Sequence, residues 1–349
     1  MRWSIRSIAF GLTCLLWVGC GDDDTDEDSP TGPSASQLVP QDSAATISPP
    51  TFTLKNTAIL NPGAIWCVPN YDGSILVVST DAQGKIALRA YDFDLNPIGD
   101  SFFVAGPEDT HDGGKIADHK HIIQNDHHYL TFSTAGTGQG GWLYLAKFDI
   151  NWQRIMLVTV ASNDAPTNDM LLVGDGTLVN VGKFRPGEGH RIYTYSEDLN
   201  LLSTKEIGGG ENRHANGAAS VFWNGNYHLV APSTLAPGKN DVIYHIVFDT
   251  EWNVVTPRHT ILNDPGQISL VTDLGVINQT FVVHYTRSPT DEGGPVYQAL
   301  YDDQWNLLSN TMVLDGKFHR PHSVVVLDRL FLGYDGVNLK TYLSHFSIE

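Results

Sequence analysis

The chain has 349 residues, of which 41% are hydrophobic and 10% aromatic, enough for one large all-β domain or two average ones. Only 17% are charged, while 33 Gly and 18 Pro punctuate the chain, a balance that suits short strands joined by tight turns and disfavours long helices. The formal net charge of −18 argues against a nucleic-acid partner, because phosphate binding needs clustered Lys and Arg.

Residues 1–19 read as a signal peptide: Arg2 and Arg6 give the positive start, and Ile8 to Val18 an apolar stretch too short to span a bilayer. The run Leu16-Trp17-Val18-Gly19-Cys20 resembles the lipobox of bacterial lipoproteins, with Trp17 where that family carries Leu and Leu16 one position early. The resemblance implies lipidation at Cys20 and an anchor in the cell envelope, at the outer membrane or cell surface; the other outcome is plain secretion. Membrane contact is then expected through the lipid alone. Cys14 leaves with the signal and Cys67 is left single, so no disulfide is expected. Residues 20–49 hold Asp22, Asp23, Asp24, Asp26, Glu27 and Asp28 and very few large apolar residues, the composition of an acidic disordered tether.

From residue 50 to 349 a unit of about fifty residues recurs, the period of a repeat architecture. Its first mark is an aromatic residue, an acid or Ser, and then Leu or Trp before an amide. It reads Tyr91-Asp92-Phe93-Asp94-Leu95-Asn96, Phe148-Asp149-Ile150-Asn151-Trp152-Gln153 and Tyr195-Ser196-Glu197-Asp198-Leu199-Asn200. Two more copies are Phe248-Asp249-Thr250-Glu251-Trp252-Asn253 and Tyr301-Asp302-Asp303-Gln304-Trp305-Asn306. Asp and Asn suit a turn between strands, and the Trp or Leu can fold back over it. The second mark is a two-residue turn before an apolar strand: Asp72-Gly73, Asn125-Asp126, Asp175-Gly176, Asn224-Gly225, Asn278-Gln279 and Asp328-Arg329. Each unit therefore reads as four antiparallel strands, the grammar of a propeller blade.

The last unit stops after a third strand, Leu339 to Phe346, while Asn56 to Leu60 resembles the fourth strands His259 to Leu262 and Thr311 to Leu314. The expectation is an all-β, six-bladed β-propeller of four-stranded blades closed by the N-terminal strand, which removes two open sheet edges. Five or seven blades would require one unit to be misread.

On such a ring the first strands of the units start at one mouth, where ligands bind. That rim is expected to gather Asp118 and His119, Asp169, Glu211 with His214 and Asn216, Gln267, and His319, Arg320 and His322. His119 and His121 are two apart and share a face of their strand, but no His spacing matches a metal motif, and neither a metal nor another cofactor is expected. His127 and His128, in a hairpin turn, are expected to be solvated.

The hairpins Asp118 to Ser133 and Gly217 to Leu229 resemble those of the arabinanase and xylosidase type of propeller glycosidase, which has five blades. That resemblance implies carboxylates at the starts of successive inner strands, working as general acid and base across a glycosidic bond. Asp118 and Asp169 match two such positions. Ala64 stands where an Asp is expected, and no Glu stands at Gly217 or Ala218, leaving Glu211 upstream as the nearby acid. The expectation is therefore a tethered, monomeric, non-catalytic propeller that binds carbohydrate, peptide or protein at its mouth, with His119, His214, Asn216, Gln267, His319, Arg320 and His322 as contacts. The alternative is a glycoside hydrolase or lyase using Asp118, Asp169 and Glu211 on extracellular polysaccharide.

Overall fold

The computed structural model describes residues 49–60, 65–69, 74–111, 113–134, 141–164, 170–173, 179–185, 189–207, 218–233, 240–288, 293–326, 328–336 and 340–349. Ser48–Glu349 form one compact unit. The signal, the lipidation candidate Cys20 and most of the tether lie outside the described residues.

Strands pair antiparallel in fours, after a first strand β1 (Phe52–Leu60) that stands apart from its neighbours in sequence. The first quartet is β2 (Ile65–Pro69), β3 (Ile75–Thr80), β4 (Ile86–Tyr91) and β5 (Pro97–Ala105). The second is β6 (Ile116–Gln124), β7 (His127–Thr134), β8 (Gly141–Phe148) and β9 (Arg154–Asp164). The third is β10 (Met170–Val173), β11 (Val179–Arg185), β12 (Gly189–Tyr195) and β13 (Leu201–Ile207). The fourth begins with β14 (Ala219–Trp223), β15 (Asn226–Ser233) and β16 (Asn240–Phe248) and takes as its last strand the first half of β17 (Val254–Ile277). The second half of β17 opens the fifth, with β18 (Thr280–Arg287), β19 (Gly294–Tyr301) and the first half of β20 (Leu307–Val326). The rest of β20 opens the sixth, with β21 (Arg329–Gly336) and β22 (Thr341–Ile348).

Two junctions differ from the sequence expectation. β17 and β20 run unbroken from the outer strand of one quartet into the inner strand of the next. Register shifts between Ile268 and Leu270 and between Val271 and Asp273 absorb the change of partner from β16 to β18. A bulge of this kind re-aims a strand while keeping it extended.

The sixth quartet is completed by β1, which lies antiparallel on β22 from Phe52 opposite Ile348 to Leu60 opposite Thr341. The Thr57 and Ser344 hydroxyls hydrogen-bond across this pair at 2.8 Å, and Thr51 and Glu349 exchange two backbone bonds at its end. The first and last described strands of the unit thus share one sheet.

Because side chains alternate along a strand, each quartet has two apolar faces and must bury both. Leu76, Val78 and Leu88 of the first quartet pack against Leu130, Phe132 and Tyr144 of the second. Tyr129 and Leu145 meet Tyr193 and Tyr195 of the third, and Ile192 and Ile207 meet Tyr227 and Leu229 of the fourth. Val230 and Ile243 meet Val271 and Phe281 of the fifth, and Val296 and Leu314 meet Leu330 and Tyr334 of the sixth. The circuit returns where Ile75 and Val77 of the first quartet pack against Phe331 and Leu343 of the sixth. The inner strands follow the same path, β2 against β6, β10, β14, β17 and β20 in turn, and β20 against β2.

The turn motif does what its residues suit. Asp92, Asp149, Asp249 and Asp302 each accept backbone N–H groups two and four residues on, for example Asn96 to Asp92 at 2.8 Å. Leu95, Trp152, Leu199, Trp252 and Trp305 take left-handed φ of 53° to 66°, a strained choice for bulky residues. The strain turns the large side chain back onto the sheet. Trp152 stacks on His128 at 3.9 Å, Trp252 on Tyr227 at 4.1 Å and Trp305 on Phe281 at 4.3 Å, each partner being the second residue of the return strand. His128 was expected in water and is instead fully buried, because the repeat places it where other units carry Tyr or Phe. His127, its neighbour, is half-exposed and bonds the Asn125 carbonyl at 2.7 Å.

Truncating Trp305 to Ala should cost about 3–5 kcal/mol, read from urea unfolding, because the clasp and its seal over the adjoining core are lost together.

Candidate functional site

The inner strands begin where β6 starts and where β17 and β20 pass from one quartet into the next. Asp118 lies on β6 opposite Ser133, and His319 on β20 opposite Asp335. The side chains of Asp118, Gln267, His319 and Arg320 lie outside the described residues, as do Asp169, Glu211, His214 and Asn216 altogether.

His119 and His322 can be placed in full. Both are buried. His119 turns toward the first quartet, with Nδ1 3.0 Å from Thr80 Oγ1 and Nε2 3.1 Å from the Val78 carbonyl, so it ties β6 to β3. His121, two residues on, shares that face as expected.

At the same end, the loop after β5 is pinned where the His111 N–H donates to the Tyr144 hydroxyl at 2.7 Å, and the His111 ring lies 4.6 Å from Trp142. Gly84 closes the tight turn after β3 at φ +80°, and a Cβ there would lie 2.7 Å from Lys115 Cβ, so only glycine allows this turn to approach the loop that enters β6. Arg287, at the end of β18, pairs with Asp264 at 2.9 Å and lies over Tyr297.

A polar chain missed by sequence reasoning crosses between the fifth and sixth quartets. Gln298 on β19 meets His284 Nε2 at 3.0 Å, His284 Nδ1 meets Asp273 Oδ2 at 3.3 Å, and that oxygen accepts the Ser323 N–H at 2.9 Å and the Ser323 hydroxyl. Asp273 thereby fixes β20 directly after the His319-Arg320-Pro321-His322 stretch. The signal available in sequence was an acid, Asp273, within the apolar run Ile268 to Val276 and not before its inner strand.

Two further buried clusters are imidazole pairs. His121 Nε2 lies 3.1 Å from His128 Nδ1, and His228 Nδ1 lies 3.1 Å from His245 Nε2. Burial, aided by the neighbouring imidazoles His128 and His119, holds His121 well below the ordinary histidine value. Burial lowers His128 to about 4 and His228 to about 4. His245 falls to about 2, through burial and then His228 and His259. Among the described residues no three His, Cys, Asp or Glu side chains converge to hold a metal ion.

No protein-family model and no curated protein matches the sequence. Among solved structures, an alpha-L-arabinanase from Penicillium chrysogenum, complexed with arabinobiose, is 13% identical, with 85% of this chain and 98% of that chain covered at a TM-score of 0.61. An alpha-L-arabinofuranosidase from Podospora anserina, in complex with cellotriose, is also 13% identical over 69% of this chain and 94% of that one, with a TM-score of 0.48. The fold is that of an all-β propeller. The first of these structures carries that assignment.

Asp273→Ala should cost about 1–3 kcal/mol in thermal unfolding, since it strands the Ser323 and His284 donors. Asp273→Asn, which keeps an acceptor oxygen, should lose less.

Proposed function

We propose that the chain is an envelope-tethered glycoside hydrolase or lyase acting on extracellular polysaccharide at the mouth of its propeller. The likeness of the whole ring to an arabinanase carries this reading, joined to the acids that the sequence puts at or before successive inner strands. On this reading Asp118 and Asp169 supply the acid–base pair, with Glu211 as the third carboxylate. A separation of about 5–5.5 Å would mean a nucleophile and retention, and about 6.5–9.5 Å would leave room for water and inversion. Gln267, His214, Asn216, His319 and Arg320 are the proposed substrate contacts, and Asp273 holds the last two in place through β20.

The six quartets are proposed to be the blades of one six-bladed ring closed by β1. Residues 1–19 are proposed as the export signal, Cys20 as the lipid anchor, and residues 20–49 as the tether that keeps the ring at the cell surface. The protein is proposed to act as a monomer.

One observation favours a second reading, a non-catalytic receptor for carbohydrate or protein. Ala64 stands where the resembling glycosidases carry an acid, and the fourth unit offers no Glu at its inner strand, where Ala218 is buried. In that case His119 and His322 serve as supports of the rim.

Incubating the purified protein with a panel of plant and bacterial polysaccharides separates the two. The hydrolase reading expects oligosaccharide release that falls by about 100-fold or more in Asp118→Asn and Asp169→Asn. Binding that survives both changes with no product formed would establish the receptor instead.

A further inference from the structure

The two imidazole pairs have no part in the proposed chemistry. They sit at two boundaries of the ring, between the first and second quartets and between the fourth and fifth. Three quartets separate them in either direction around the six, so they lie on opposite sides.

At the first boundary His121 is 1% exposed and His128 fully buried, with His119 beside them and Trp152 sealing His128 at an interplanar angle of 19°. The titratable groups around this pair are His119, His127 and Asp149; the Asp149 carboxylate favours the charged form of His128 but is outweighed by burial. At the second boundary His228 is 7% and His245 2% exposed. Trp305 of the fifth quartet closes over His245 at 3.7 Å, and His259 meets it edge-on at 5.0 Å. His245 Nδ1 has no hydrogen-bond partner among the described residues. Arg258, beside His259, lies over Tyr244 instead. The boundary between the fifth and sixth quartets also buries an imidazole, but there His284 faces the Asp273 carboxylate.

We infer that the ring carries two acid-labile seams, at the His121–His128 and His228–His245 pairs, which loosen before the other four boundaries as pH falls. A proton added to either pair places a cation in a buried aromatic contact, and the unfolded or opened chain takes that proton more readily. The sign follows directly. Each imidazole has a lower pKa when packed than when exposed, so the seams are fully stable above about 6.5 and lose stability as pH falls toward about 4. The turn carboxylates titrate in a different window: hydrogen bonds from the Asn96 and Asn253 side chains hold Asp92 and Asp249 below 3.8, so those turns persist while the seams open.

Hydrogen exchange of the full chain at pH ~7.5 and ~4.5, corrected for intrinsic rates, tests this, with strand protection expected to fall about fiftyfold at the lower pH where a seam opens. The loss should fall on β6–β7 and β15–β16, with β18–β19 and β21–β22 largely unchanged. His128→Tyr and His245→Leu borrow Tyr227 and Leu145 from the same register of other quartets, and together should restore protection at both seams. Should that pair misfold, His245→Gln, copying Gln298, should restore the second seam alone. Uniform loss over all quartets, or unchanged acid sensitivity in these variants, would overturn the inference.

Discussion

Everything about this ring depends on the antiparallel pairing of β1 with β22. A four-stranded sheet with two apolar faces cannot end a stack, because its outer face would be left in water. The six quartets avoid that end by returning to their start, where Ile75 and Val77 meet Phe331 and Leu343. Backbone bonds and side-chain burial act at the same place: β1 satisfies the open edge of β22 while Ala58 and Leu60 reach into the core between the sixth and first quartets. The proposed gathering of inner-strand starts at one mouth, and the proposed site there, depend on that closure.

Much of this was legible in the sequence because the repeat writes each blade in local chemistry. In four of the five turns an Asp names the backbone groups it binds, and Asn125-Asp126, Asn224-Gly225 and Asn278-Gln279 adopt the positive φ angles that such hairpin turns require. The missing fourth strand at the C-terminus pointed to residues 56–60 as its replacement, which is where β1 pairs. Less legible was anything set by contact between quartets. His128 reads as a turn residue, yet it is buried under Trp152 of its own quartet, on the face that packs against the first. Asp273 reads as a stray acid in a strand, yet its partners arrive from β18 and β20. His119 looked like a rim ligand, and its nitrogens are engaged by Thr80 and Val78 of the preceding quartet. Periodicity reports which residues face a neighbour; it does not report what the neighbour offers them.

The boundaries are therefore where this protein differs from a plain repeat. Aliphatic and aromatic packing fills most of each seam, while a few positions substitute polar chemistry: a carboxylate-centred chain at the fifth-to-sixth boundary, imidazole pairs at two others. The Asp273 chain orders the segment before Ser323, which supplies part of the proposed rim. The imidazole pairs set one neutral ring against another, His121 Nε2 3.1 Å from His128 Nδ1 and His228 Nδ1 3.1 Å from His245 Nε2. The same ring can thus be rigid where it presents its proposed contacts and sensitive to protons elsewhere.

The most direct test of ring closure is a covalent link across the closing strands. Thr57 and Ser344 are register partners whose hydroxyls lie 2.8 Å apart, so Thr57→Cys with Ser344→Cys should form an intramolecular disulfide under mild oxidation, seen by peptide mass mapping. The oxidised form should melt at a higher temperature than the reduced form, since the bond ties together positions 287 residues apart. Failure of the two thiols to join in the folded protein, with each left reactive to added reagents, would mean that β1 does not close the ring.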